Sequence, residues 1–125
     1  MEKSNEITEL LINLKINPNM AGFDYLRAAV DFCLKDDALK SNITTRLYPL
    51  LSKRFKTKPS IIERCIRFAI TSAFENGGLL YLNNFYDTIV YKNNFIYSNA
   101  ELISIIVEKI QLDRVLKKQQ RGSAV

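Results

Sequence analysis

Apolar residues recur at helical spacing along most of this chain. Ile7, Leu10, Leu11 and Leu14 predict a first helix over about residues 5–15, which Asn17-Pro18-Asn19 breaks. A second helix is predicted from about Phe23 to Lys35, with Leu26, Ala29, Val30 and Cys33 or Leu34 on its buried side. Asp36-Asp37 and Ser41-Asn42 mark its end and a loop. Thr44 is placed to cap a third helix reaching Phe55, with Leu47, Leu50 and Leu51 turned inward. Pro49 lies too late for a first-turn proline of that helix and is expected to bend or loosen it.

Lys56-Thr57-Lys58-Pro59 reads as a turn. A fourth helix follows from about Ser60 to Asn76-Gly77-Gly78, where glycine suits a helix end. Its buried side is Ile62, Ile66, Ala69, Ile70 and Ala73; its outer side is Ser60, Ile61, Arg64, Arg67, Phe68 and Thr71. Leu79 to Tyr91 is ambiguous. Tyr81, Leu82 and Phe85 suit a short helix, whereas Thr88-Ile89-Val90-Tyr91 has strand propensity without an evident partner. Ser98-Asn99-Ala100-Glu101 is a capping-box pattern opening a long last helix to about Lys118, with Leu102, Ile105, Ile106, Lys109, Ile110 and Leu112 along it. The expected fold is all-α: one compact bundle of about six helices over residues 1–125, with a frayed tail over 119–125.

Composition agrees with one domain. The chain has 125 residues, 47% hydrophobic and 25% charged, with only four Gly and three Pro. Its two cysteines, Cys33 and Cys65, fit no metal spacing and read as reduced core residues. The sequence contains no histidine, which removes the commonest general base and any His-based triad or zinc site. Gly77-Gly78 is an isolated pair and not a phosphate loop. No cofactor, metal or enzymatic chemistry is therefore expected. The short apolar runs and the polar start Met1-Glu2-Lys3-Ser4 point to a cytoplasmic protein with no membrane partner.

The net charge of +5 is unevenly spread. Residues 1–43 carry net −2 and residues 69–125 net +1. Residues 44–68 carry +6, from Arg46, Lys53, Arg54, Lys56, Lys58, Arg64 and Arg67 against Glu63 alone. A basic run by itself is usually solvated surface, but this one falls on two helices joined by a short turn. That is the organisation of a helix-turn-helix, whose first helix braces on the DNA backbone while its second lies in the major groove. In the N-terminal turns of the second helix, arginine can bind a guanine edge through two hydrogen bonds and glutamate can accept from cytosine. Ser60, Ile61, Glu63, Arg64, Arg67 and Phe68 are the candidate base-reading residues. Thr44, Thr45, Arg46, Lys53, Arg54, Lys56 and Lys58 are the candidate phosphate contacts.

Alternatives stand beside these assignments. Ser60 and Glu63 have the spacing of a capping box, which would engage Glu63 locally. Arg64 and Arg67 taken singly suit a solvated surface. Ile61 and Phe68, two turns apart, suit thymine methyls, packing on another element, or a protein partner.

The segments Ile43-Thr44-Thr45-Arg46-Leu47-Tyr48-Pro49, Lys53-Arg54-Phe55 and Ser60-Ile61-Ile62-Glu63-Arg64-Cys65-Ile66-Arg67-Phe68-Ala69-Ile70 resemble the C-terminal effector domains of the stage-zero sporulation protein A family. Gly22-Phe23-Asp24-Tyr25-Leu26-Arg27-Ala28-Ala29 resembles that family's second-helix start. Asn99-Ala100-Glu101-Leu102-Ile103 and Glu108-Lys109-Ile110-Gln111-Leu112-Asp113 resemble its last helix. The resemblance runs from about Ile7 to Asp113. It implies a six-helix DNA-binding domain with a central helix-turn-helix, binding promoter boxes in tandem. It also implies a dimer contact near the last helix, and an approach to the RNA polymerase sigma factor after the recognition helix.

Ser60, Glu63, Arg64 and Arg67 match the family's recognition pattern. Ile61 replaces a base-reading arginine and Phe68 a histidine, so the resemblance leaves the target sequence open. The family's receiver domain has no counterpart in these residues, and the expectation is a free-standing effector domain or a truncated one. Two functions follow: a sequence-specific transcription regulator of sporulation type, or an interaction module of the same fold that has left DNA reading and modulates a full-length regulator.

Overall fold

The structure is a computed structural model and describes residues 2–78, 80–81 and 96–123. The fold of the described residues is all-helical, with no strand among them, and has five α-helices: α1 (Glu2–Asn13), α2 (Ala21–Lys35), α3 (Tyr48–Phe55), α4 (Pro59–Glu75) and α5 (Asn99–Ser123). A 3₁₀ turn (Asp37–Ser41) and a π-helical turn (Ile43–Leu47) join α2 to α3. Leu82, Phe85 and the strand-prone Thr88–Tyr91 lie outside the described residues.

The central element is α2, which packs against α1, α4 and α5, while α3 packs against α4. Helical periodicity supplies the core. Ile7, Leu10 and Leu11 of α1 and Leu14 just after it are buried, as are Leu26, Ala29, Val30 and Cys33 of α2 and all five predicted positions of α4. On α5 the buried set is Leu102, Ile103, Ile106, Val107 and Ile110. Leu112, Val115 and Leu116 beyond it are exposed. The apolar core positions of α5 thus end at Ile110; Gln111 and Arg114 still bond Asp37 and Glu6, and the helix reaches Ser123 instead of ending near Lys118.

Glycine is required where α2 meets α4. A Cβ built on Gly22 would sit 2.8 Å from the Cβ of Ala69 and would overlap the carbonyl of Cys65. At the far end of α4, Gly77 adopts φ +72° and closes the helix, with its N–H on Phe74 O at 3.0 Å.

Four expectations are corrected. Thr44 does not cap a helix: it sits inside the π-helical turn, where Leu47 N–H bonds Asn42 O at 3.1 Å and Tyr48 N–H bonds Ile43 O. The widened turn separates residues 43–47 from α3, so Pro49 falls in the first turn of α3, where its missing N–H leaves no helical bond unmade. Leu50 is 39% exposed, whereas Leu47 and Leu51, predicted inward with it, are buried. Cys65 is half-buried, held at the α2 contact by its backbone and not seated in the core.

At the start of α5 the capping box forms as read. Glu101 N–H donates to Ser98 Oγ at 3.1 Å, and Ser98 N–H donates to Glu101 Oε1 at 3.0 Å. The Ser98 backbone N–H, with its hydroxyl second, holds the Glu101 carboxyl below its ordinary pKa.

Candidate nucleic-acid interface

The basic window folds into two helices, α3 and α4, separated by the three residues Lys56, Thr57 and Lys58. The turn is built locally. Lys56 ends α3 in the left-handed conformation at φ 55°, and Thr57 N–H bonds Ser52 O at 3.1 Å. The Ser52 hydroxyl donates to the Thr57 carbonyl. Ser52 thus clamps both polar groups of Thr57 and sets the direction in which the chain enters α4.

Pro59 then occupies the first turn of α4, with Lys58 at the N-cap position and no side-chain cap. Ser60 is therefore inside the helix, and the Ser60–Glu63 capping box does not form. The Glu63 side chain is exposed instead of being engaged at the helix start.

The outward positions of α4 follow the predicted face. Ser60, Glu63, Arg64, Arg67 and Phe68 are exposed, Phe68 at 65%. Ile61 is half-buried, so the two apolar positions differ in access. Lys53, Lys56 and Lys58 are exposed on the end of α3 and the turn. No salt bridge among the described residues uses Lys53, Lys56, Lys58, Arg64 or Arg67. Among the described residues these exposed cations have no ion-pair partner, which suits a polyanion-binding face.

Two other basic residues are engaged within the fold. Arg46 pairs with Asp36 at 3.4 Å. The Arg54 guanidinium lies over the rings of Phe32, at 5.7 Å, and Phe55, at 5.8 Å. Thr44 and Thr45 are exposed and line an open hollow of about 280 Å³ with Lys40 and Ala100.

The helix-turn-helix is held from behind by α5. Asn99 is 5% exposed and is the buried polar residue among the described ones. Its side-chain amide donates to the Tyr48 hydroxyl at 3.2 Å and to the Glu63 carbonyl at 3.0 Å. One amide therefore joins the first residue of α5 to both helices of the motif. Burial raises the Tyr48 pKa; the Asn99 hydrogen bond opposes that rise, and the charges of Glu63 and Arg67 act on the phenol in opposite directions. The sequence gives Asn99 no chemical signature. Its only signal is a polar residue set between a capping serine and an apolar run.

Among the described residues no cluster of three or more Cys, Asp or Glu side chains is arranged to hold a metal, and no helix is long and apolar enough to cross a membrane.

The sequence model of the family described as "Sporulation initiation factor Spo0A C terminal" matches residues 7–110. The chain belongs to this family. At the family level it is a DNA-binding effector domain of sporulation initiation and not a member of an enzyme family. The matched span of this Spo0A C-terminal domain contains α2, the whole α3–turn–α4 motif, and Asn99 with its two partners.

Proposed function

We propose that this Spo0A-type domain is a sequence-specific transcription regulator that reads promoter DNA with α4 in the major groove. The observation that carries the reading is the exposed set Glu63, Arg64 and Arg67 on one face of α4, in no ion pair among the described residues, beside the Lys53, Lys56 and Lys58 cluster. Ser60, Ile61 and Phe68 complete the reading surface, with Ile61 and Phe68 giving apolar contacts in place of polar ones. Thr44, Thr45, Arg46, Lys53, Arg54, Lys56 and Lys58 contact phosphates. Arg46 must then share its guanidinium with Asp36 or leave it.

Two further partners belong to the same reading. Two copies on adjacent boxes meet through the C-terminal half of α5, where Leu112, Val115 and Leu116 form an exposed stripe at helical spacing. The sigma factor of RNA polymerase is a partner on the strength of the family resemblance.

The test is binding to a promoter fragment and to a scrambled duplex of equal length across a salt series. With about six phosphates neutralised, log K falls against log salt with a slope near −5. Preference for the promoter fragment supports the reading; equal affinity for both duplexes, or no binding at low salt, ends it. The second reading, an interaction module that modulates a full-length regulator, is favoured by the 65% exposure of Phe68. It predicts recovery of the regulator by the purified domain without DNA.

A further inference from the structure

The bond between α5 and the helix-turn-helix runs through a single buried amide, and it reaches the reading helix at Glu63, one of the candidate base contacts and the neighbour of Arg64. Asn99 carries two N–H donors, and both are used: one on the Tyr48 hydroxyl at 3.2 Å and the other on the Glu63 carbonyl at 3.0 Å. The donor itself is fixed. The Ser98–Glu101 box pins the backbone on either side of Asn99, and Leu102 and Ile103 are buried immediately after it. The acceptors lie on different elements: Tyr48 is the first residue of α3, and Glu63 is in the second turn of α4.

A buried amide with two committed donors has one placement that satisfies both, so it selects one position of α4 relative to α3 and α5. Apolar packing of Ile62 and Ile66 does not select so narrowly, because apolar contact is non-directional.

We propose that Asn99 is a positioning residue for DNA reading, setting the placement of the N-terminal half of α4 so that Glu63, Arg64 and Arg67 meet base edges in register. This rests on the proposed DNA-reading function. Asn99 is buried behind the motif and does not touch DNA. A bidentate arginine–guanine contact depends on geometry, whereas phosphate attraction by Lys53, Lys56 and Lys58 depends mainly on charge. Displacing α4 therefore lowers discrimination between sequences and leaves non-specific binding almost unchanged.

The experiment uses the full chain as wild type, Asn99→Leu and Tyr48→Phe. Asn99→Leu keeps the branched shape and number of side-chain heavy atoms and removes both donors; Tyr48→Phe removes one acceptor and keeps the ring. The first readout is the ratio of affinities for a duplex selected by the wild-type protein and for a scrambled duplex, with the salt slope of each. Loss of hydrogen bonds of this kind is expected to reduce the ratio roughly tenfold in Asn99→Leu and less in Tyr48→Phe. Scrambled-duplex affinity and salt slope stay as in wild type. An unchanged ratio in both variants overturns the proposal, leaving Asn99 a stability residue.

The second readout needs no DNA: backbone amide exchange in the free protein. Faster exchange confined to the N-terminal half of α4 and to α3 is expected, with α2 unaffected. A uniform rise through all helices overturns the positioning role. If the wild type itself prefers no sequence, the DNA-reading function fails, and the exchange pattern still decides whether Asn99 places α4. Should Asn99→Leu not fold, Tyr48→Phe carries both readouts.

Discussion

Gly22 lies against the backbone of Cys65, so close that a methyl group on Gly22 would overlap the Cys65 carbonyl and stand 2.8 Å from the Ala69 side chain. The central helix and the candidate reading helix touch here backbone to backbone. Gly22→Ala must push α2 and α4 apart, because the obstacle is main chain and cannot rotate away. The expected loss is about 1–3 kcal/mol, as for an overpacked core, read by denaturant unfolding. An unchanged midpoint would show that the two helices separate freely.

The turn of the motif gives a prediction with opposite signs in two measurements. Lys56 is held at φ 55°, a conformation that costs a side-chain-bearing residue about 1 kcal/mol and glycine almost nothing. Lys56→Gly is therefore expected to raise the melting temperature. The same change removes a cation from the candidate phosphate face, so affinity falls alike on every sequence and the salt slope shrinks by about 0.9. A destabilised Lys56→Gly protein would contradict the turn geometry.

Ser52 anchors Thr57 twice, through its carbonyl and its hydroxyl. Ser52→Ala leaves the backbone bond and deletes the other. Stability should fall by about 1 kcal/mol, with faster exchange concentrated at residues 56–58. Loss spread evenly along the chain would argue against a local clamp.

Arg64 and Lys58 separate reading from positioning on phosphates. Arg64→Ala is expected to lose about 1–3 kcal/mol of discrimination at one base pair of the selected site. Lys58→Ala should weaken all duplexes equally. A competition assay against single-base variants of the site measures both, and identical profiles for the two mutants would remove the role assigned to Arg64.

Cys33 makes stability fall at alkaline pH. Burial is the main cause that pushes its thiol up to about 11 from an ordinary value of 9.0; Lys40 opposes this, and Asp37 and Asp36 add to it. The folded state keeps the proton that the unfolded chain releases first. The contribution is therefore fully present below pH 9 and is lost as pH rises from about 9 to about 11. Two units correspond to about 3 kcal/mol. Cys33→Ala should lose this part of the alkaline decline in urea midpoints measured from pH 8 to 11. A decline of equal size in the variant would assign it elsewhere.

Much of this architecture is legible in residue spacing. Ile7, Leu10, Leu11 and Leu14 declare a helix and its inner face, and they are buried as read. The Ser98–Glu101 box declares where α5 begins. The face of α4 was likewise readable, because Ile62, Ile66, Ala69, Ile70 and Ala73 leave only one side for Arg64 and Arg67. Spacing failed at Thr44, where a π-helical turn replaced a capped helix, and at Leu50, which periodicity alone counts as an inner position.

The sequence by itself determined the helical class, the basic α3–turn–α4 motif and the cations on its outer face, since these depend on local periodicity, turn chemistry and charge. Only the tertiary structure decided which apolar positions find a neighbour and what orients the motif. Asn99 reaches Glu63 across 36 residues of sequence and Tyr48 across 51. A pattern within one helix fixes a face about its own axis. The placement of one helix against another depends on bonds between residues far apart in the chain, such as the Asn99 amide, and on close contacts such as Gly22 against Cys65.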